Sequence, residues 1–259
     1  MLMSKRKLQN RLMRKAIIVI LMVLVCVNVF AQKKKKEEYQ LVPPFPVTVD
    51  ANLLEWDGKL TPIGQDSSWS FAVTNDSEFI YLAVLVKNEM LQYEAVRNGI
   101  VLNINKDGKK KDGAQLIFPI PDSESRRAMS QDDNFENMNV REELIKRSRG
   151  YGIRGFQHIV DGLLSFENTY GVLAKAKLTE ANVLIYEAKV PIDAIGLPNS
   201  DQTVAIQVQL NNQYALLQKA MRNRVQPSRG IYGPPPTRSV RSPFTAKTDI
   251  WIVTRLNKN

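Results

Sequence analysis

Three aromatic side chains, Trp56, Tyr93 and Trp251, are the residues of this chain best suited to chemistry, and the chemistry is recognition. A flat ring stacks on the apolar face of a ligand while polar groups at its rim complete the contact. Trp56 lies in a Glu55-Trp56-Asp57-Gly58 turn, where it either stacks on a ligand or covers the end of a core. Trp251 alternates against Ile250 and Ile252 and points away from them, as a second-face core residue or as an open platform. Tyr93 and Tyr151 are similarly open, and weaker candidates. Trp69 shares a face with Phe71 and Val73 and reads as core.

Other groups carry less. Asn103-x-Asn105-x-Asp107-Gly108 imitates the start of a calcium loop, but Ala114 stands where the bidentate Glu belongs, so no cofactor is expected. Nothing in the spacing of Asp50, Asp57 and Asp161 makes a metal set. His158 is the single histidine. It would have to serve as the base of a serine triad, which lacks its G-x-S-x-G, or as an axial haem ligand opposite Met90, Met129 or Met138. Glu142-Glu143 reads as a solvated helix start rather than a glycosidase pair. No phosphate-cradling glycine pattern occurs, and the chain is read as a non-enzyme.

The first 31 residues read as an address. Lys5, Arg6, Lys7, Arg11, Arg14 and Lys15 form a basic stretch, and residues 16–30 are an apolar run shorter than the roughly 20 residues of a membrane span. Ala31 then offers a small residue for signal cleavage, with Gln32 next. The rival is an uncleaved anchor. Cys26, the only cysteine, follows Val25 and is a poor lipidation site. A periplasmic or secreted chain with no membrane span after cleavage is expected, and it would hold no cysteine. Losing six basic residues with the signal takes the charge from +10 to +4, too mild to argue for nucleic acid.

The rest alternates at strand period. Residues 32–44 read as a basic, Pro-rich tether, and residues 45–257 as a single domain interrupted by polar insertions at 121–157, partly helical, and 217–245. Phe45, Val47 and Val49 suggest a short first strand. Residues 69–73 alternate, and residues 79–86 are apolar on both faces, as in a central strand covered on both sides. Residues 88–98 suggest a helix stopped by Gly99. Strands follow at 100–105, 115–120, 163–167, 171–178, 183–190, 204–210 and 249–256. About ten strands and two or three short helices predict an all-β fold, two antiparallel sheets stacked as a jelly-roll-like β-sandwich.

VTVDANLLEWDG resembles the opening of family 9 carbohydrate-binding modules, with their D-G-x-L-x-E-W-type turn. WSFAVTNDSEFIYLAVLVKNE resembles their next two strands, and GIVLNINKDGKKKDG the following strand and its Asp-Gly turn. YEAKVPIDAIGL is similar to their E-x-x-I-P-x-x-x-L-G strand-turn, and VAIQVQLNN and TDIWIV to their last core strands. The likeness spans most of residues 47–256. It implies a sandwich of the superfold that includes the DOMON domains, which bind sugars or haem. NEMLQYEAVRNGIVLNINKDGKKKDG is similar to secreted proteins of Bacteroidetes-type bacteria. The sugar-binding members clamp a terminal sugar between tryptophans, and none of Trp56, Trp69 and Trp251 falls on that clamp by motif. The resemblance implies a non-catalytic module binding a polysaccharide or oligosaccharide, alone or as an accessory to polysaccharide degradation. The alternative is a structural or interaction module with an envelope protein as partner.

Overall fold

The computed structural model describes residues 38–64, 66–129, 138–197, 202–223, 243–244 and 246–257. The expected signal segment with Ala31 and Gln32 lies outside them, as do residues 227–242 of the Pro-rich stretch. No helix among the described residues is long and apolar enough to cross a membrane.

Among the described residues eleven strands form two antiparallel sheets, a β-sandwich. Sheet 1 holds β1 (Thr61–Ile63), β2 (Trp69–Asn75), β3 (Phe79–Val86), β9 (Leu184–Pro191) and β8 (Leu173–Leu178), in that order. Sheet 2 holds β11 (Asp249–Arg255), β10 (Thr203–Leu210), β4 (Ile100–Asn105), β5 (Ala114–Phe118), β6 (Tyr151–Arg154) and β7 (Gly162–Leu164). Alternation along the strands puts Trp69, Phe71, Val73, Leu82 and Val84 of sheet 1 against Leu102, Ile104, Leu116, Ile206 and Val208 of sheet 2 in one buried core. Burying that apolar surface is the main favourable term for the fold.

The short helices lie in the connections between strands. α1 (Glu89–Asn98) starts at Asn88, whose side chain accepts the Leu91 N–H at 2.9 Å. It stops at Gly99, whose φ of +88° and close approach to Ile117 favour glycine. α2 (Ser123–Met129) and α3 (Met138–Lys146) follow β5, α4 (Ile192–Ile195) follows β9, and α5 (Gln213–Asn223) follows β10.

β3 is covered on both sides, as its composition predicts. Its second cover is the segment before β1, which packs Val42, Phe45, Val47, Val49, Leu53 and Trp56 onto Ala72, Tyr81 and Ala83 of the outer face of sheet 1. The short strand expected from Phe45 to Val49 does not form. Pro43, Pro44 and Pro46 have no N–H to give a ladder, so the segment docks through packed side chains and scattered bonds, among them the Val42 N–H to the Val73 carbonyl at 2.8 Å. β6 corrects the reading of 121–157 as wholly insertion, since it pairs with β5 inside sheet 2.

The turn between β2 and β3 is braced by Asp76. Its carboxylate accepts the Glu78 and Phe79 N–H at 2.8 and 2.7 Å and the Tyr81 hydroxyl at 2.8 Å. Burial pushes the Asp76 carboxyl up, but those bonds outweigh it and hold it below the usual range. A depressed folded pKa gives stability that is present above the unfolded value, about 3.9, and lost as pH falls through the lower folded one. Asp76→Ala is expected to cost about 1–2 kcal/mol at neutral pH, with the gap to wild type closing in acid, as denaturant unfolding at several pH values would show.

Candidate functional site

The two sheets present different outer faces. On sheet 1 the part formed by β2, β3 and β9 is covered by the segment before β1. Glu187 points outward from β9, yet it is 0% exposed beneath the 39–60 segment. Its Oε2 accepts the N–H groups of Asp50, Ala51 and Asn52 at 3.1, 2.7 and 3.2 Å. Its Oε1 accepts the Trp56 indole N–H at 2.8 Å. Three successive N–H groups turned onto one carboxylate oxygen make an anion nest. The geometry requires a φ of +64° at Ala51, uncomfortable for a residue with a Cβ. Ala51→Gly is therefore expected to raise stability by about 0.5–1 kcal/mol, read as a small rise in Tm, because relief of strain exceeds the added chain entropy.

Trp56 is thus 0% exposed, with Phe45 edge-on at 5.0 Å and its N–H committed to Glu187. It covers the outer face of sheet 1 rather than an end of the sandwich. Tyr93, at 9% exposure, packs in the inter-sheet core, with the Arg97 guanidinium 5.9 Å from its ring centre. Neither ring meets solvent as Trp251 does. His158 is exposed. Glu142 and Glu143 form i,i+4 ion pairs with Lys146 and Arg147, at 3.8 and 2.6 Å. Among the described residues no three His, Cys, Asp or Glu side chains gather as a metal set.

On sheet 2 the outer face is polar. Strand register aligns Trp251 with Gln207, Gln207 with Asn103, Asn103 with Gln115, and Gln115 with Arg154. All five share one face because side-chain direction has a period of two. The amides form a chain. Asn103 Nδ2 donates to Gln207 Oε1 at 3.1 Å, and Gln207 Nε2 reaches Gln209 Oε1 at 3.4 Å and the Asp249 carboxylate at 3.5 Å. Trp251 is half-buried beside this chain, with Val253 and Arg255 exposed further along β11.

The 106–113 loop folds back over the β4 side of that face. Asn103 Oδ1 accepts the Gly113 N–H at 2.8 Å, and Asn103 Nδ2 donates to the Lys111 carbonyl at 3.3 Å. Asn105 Oδ1 accepts the Asp107 and Lys109 N–H at 3.0 and 3.2 Å. The Asn103 and Asn105 oxygens that would sit in a calcium loop are thus occupied by N–H groups of their own loop. α5 starts where the Gln213 N–H meets Glu94 and reaches the loop through Lys219–Asp112 at 3.2 Å. The open part of the face is the β10–β11 half, with Trp251, Gln207, Gln209 and Asp249.

Sequence alternation placed Trp251 opposite its isoleucine neighbours but could not give its row, because register is a tertiary property. The Glu187 carboxylate was missed. Its position and that of Trp56 fall in two of the motif segments quoted above, YEAKVPIDAIGL and VTVDANLLEWDG, and the hydrogen bond between them links those segments.

No protein-family model matches the chain, and no curated protein matches it. Among solved structures, a family 9 carbohydrate-binding module from Caldicellulosiruptor kristjanssonii in complex with glucose matches with a TM-score of 0.37 at 10% sequence identity, over 69% of this chain and 81% of that one.

Proposed function

We propose that this protein is a non-catalytic module acting outside the cytoplasm that binds carbohydrate on the open β10–β11 half of sheet 2. Trp251 is the stacking platform, and Gln207, Gln209 and Asp249 are the hydroxyl partners. The observation that carries this reading is the half-exposed indole beside a line of amides ending in a carboxylate. A sugar offers an apolar C–H face and a rim of hydroxyls, and this surface offers the complement. Trp56 and Tyr93 serve the fold in this reading. Calorimetry with plant and bacterial polysaccharide fragments tests it. Saturable binding is expected, and no heat at millimolar sugar across such a panel would refute the reading.

A second reading, an interaction module of the cell envelope, has its own observation. Val160, Leu163, Phe166 and Tyr170 are exposed around β7, the edge strand at the opposite side of sheet 2. Exposed apolar clusters beside a strand edge suit a protein partner. A Leu163→Glu/Phe166→Glu variant that loses an envelope protein recovered by the wild-type chain, while keeping sugar binding, would favour it.

A further inference from the structure

We infer that the carbohydrate taken by this face is anionic, a polysaccharide carrying carboxylate or sulfate groups; the inference rests on the reading of the Trp251 face as a sugar site. Cations from two separate stretches of chain border the open part of that face. Lys106, Lys109, Lys110 and Lys111 are all exposed on the loop that folds over its β4 side. Arg154 is exposed too, but in the cross-strand row it lies beyond the buried Asn103 and Gln115, away from the open part. Arg255 lies on the same face of β11, four residues from Trp251 or about 13 Å along the strand. It pairs with Thr203, and the loop reaches the same place, since a Cβ on Gly108 would lie 3.1 Å from the Thr203 side chain.

These charges are held in place. The loop backbone is fixed by Asn103 and Asn105, so its four lysines cannot separate by unfolding the loop without losing those bonds. Of the two loop carboxylates, Asp112 is already paired with Lys219. Among the described residues, none of Lys106, Lys109, Lys110, Lys111, Arg154 and Arg255 forms an ion pair. Like charges gathered on a fixed loop repel, and a polyanion laid along the face relieves that repulsion. The amides and the indole beside them suit sugar rings better than a lipid surface or a nucleic-acid backbone.

Matched probes test this on the full chain: an oligogalacturonate against its methyl ester, and a sulfated galactan oligosaccharide against its desulfated form. In at least one pair the charged member is expected to bind roughly tenfold more tightly than its neutral twin at low salt, with the gap closing at high salt. Lys109→Ser/Lys110→Ser/Lys111→Ser should abolish that gap, keep neutral-sugar binding and not lower Tm, since these side chains are exposed and form no ion pair among the described residues. Equal binding of charged and neutral members, both lost in Trp251→Ala, would overturn the anionic preference and leave the sugar reading standing. Binding of neither, or binding indifferent to Trp251→Ala, would overturn both. Equal affinity for anionic phospholipid vesicles or single-stranded DNA would replace the inference with unselective polyanion adhesion.

Discussion

Glu187→Ala is expected to destabilise the protein by about 3 kcal/mol or more, a loss of roughly 10 °C in Tm for a domain of this size. The truncation leaves four donors facing a void: the indole N–H of Trp56 and the N–H groups of Asp50, Ala51 and Asn52. Each buried donor without an acceptor costs about 1–3 kcal/mol, though such costs do not simply add. The damage should concentrate in residues 45–60, which rest on sheet 1 through Trp56 and the nest, whereas residues 39–42 are anchored separately by Tyr39 against Phe71 and by the Val42 N–H on the Val73 carbonyl. Hydrogen exchange should show the 45–60 amides losing protection before the strands of the inter-sheet core do. Glu187→Gln keeps the volume and separates charge from shape. Its NH2 must face donors, so a smaller loss of about 1–2 kcal/mol is expected.

The pH dependence of this site has a definite sign. Burial pushes the Glu187 carboxyl above the usual range, more than the bonds from Trp56, Asp50 and Ala51 pull it down. A raised folded pKa means that ionisation opposes folding. The contribution is fully present below the unfolded carboxylate pKa, about 4.3, and is lost as pH rises through the raised folded value. Wild type should show this decline, and Glu187→Gln, which does not ionise, should lack it.

Trp251→Ala carries the second large expectation, on binding rather than folding. A central tryptophan at a recognition surface typically contributes about 2 kcal/mol or more, so sugar affinity should fall roughly thirtyfold. The side chain is half-buried on an outer face, so stability should fall far less than for Glu187→Ala. Trp251→Phe keeps an apolar ring and should retain part of the affinity. Gln207→Ala removes a hydroxyl partner and also leaves Asn103 Nδ2 without one of its acceptors, so it should weaken binding and stability together.

The central architecture was legible because its patterns are local. The two-faced apolar run at β3, the alternation of Trp69, Phe71 and Val73, and the clean period of β10 each specify a strand and a face. Asn88 and Gly99 bracket α1 as capping chemistry predicts. What failed to show depends on distant chain. β6 is a four-residue strand in polar surroundings, and only its pairing with β5 makes it one. Glu187 reads as solvent-facing by parity, and its burial comes from residues more than a hundred positions away. The burial of Tyr93 reflects helix packing that residue type alone does not give. The face itself was half legible: alternation turned Trp251 outward, but its alignment with Gln207, Asn103, Gln115 and Arg154 follows from register across five strands.

Tryptophan fluorescence tests the Trp251 face most directly, because the fold isolates one reporter. The chain has three tryptophans. Trp56 and Trp69 are 0% exposed, with their indole N–H groups bound to Glu187 and to the Lys247 carbonyl at 2.8 and 2.7 Å. Only Trp251 meets solvent. Titrating a bound oligosaccharide into the wild-type chain should give a saturable change in emission that disappears in Trp251→Phe. The same change persisting in Trp251→Phe, or calorimetric binding with no change in wild-type emission, would contradict the assignment of this face as the site.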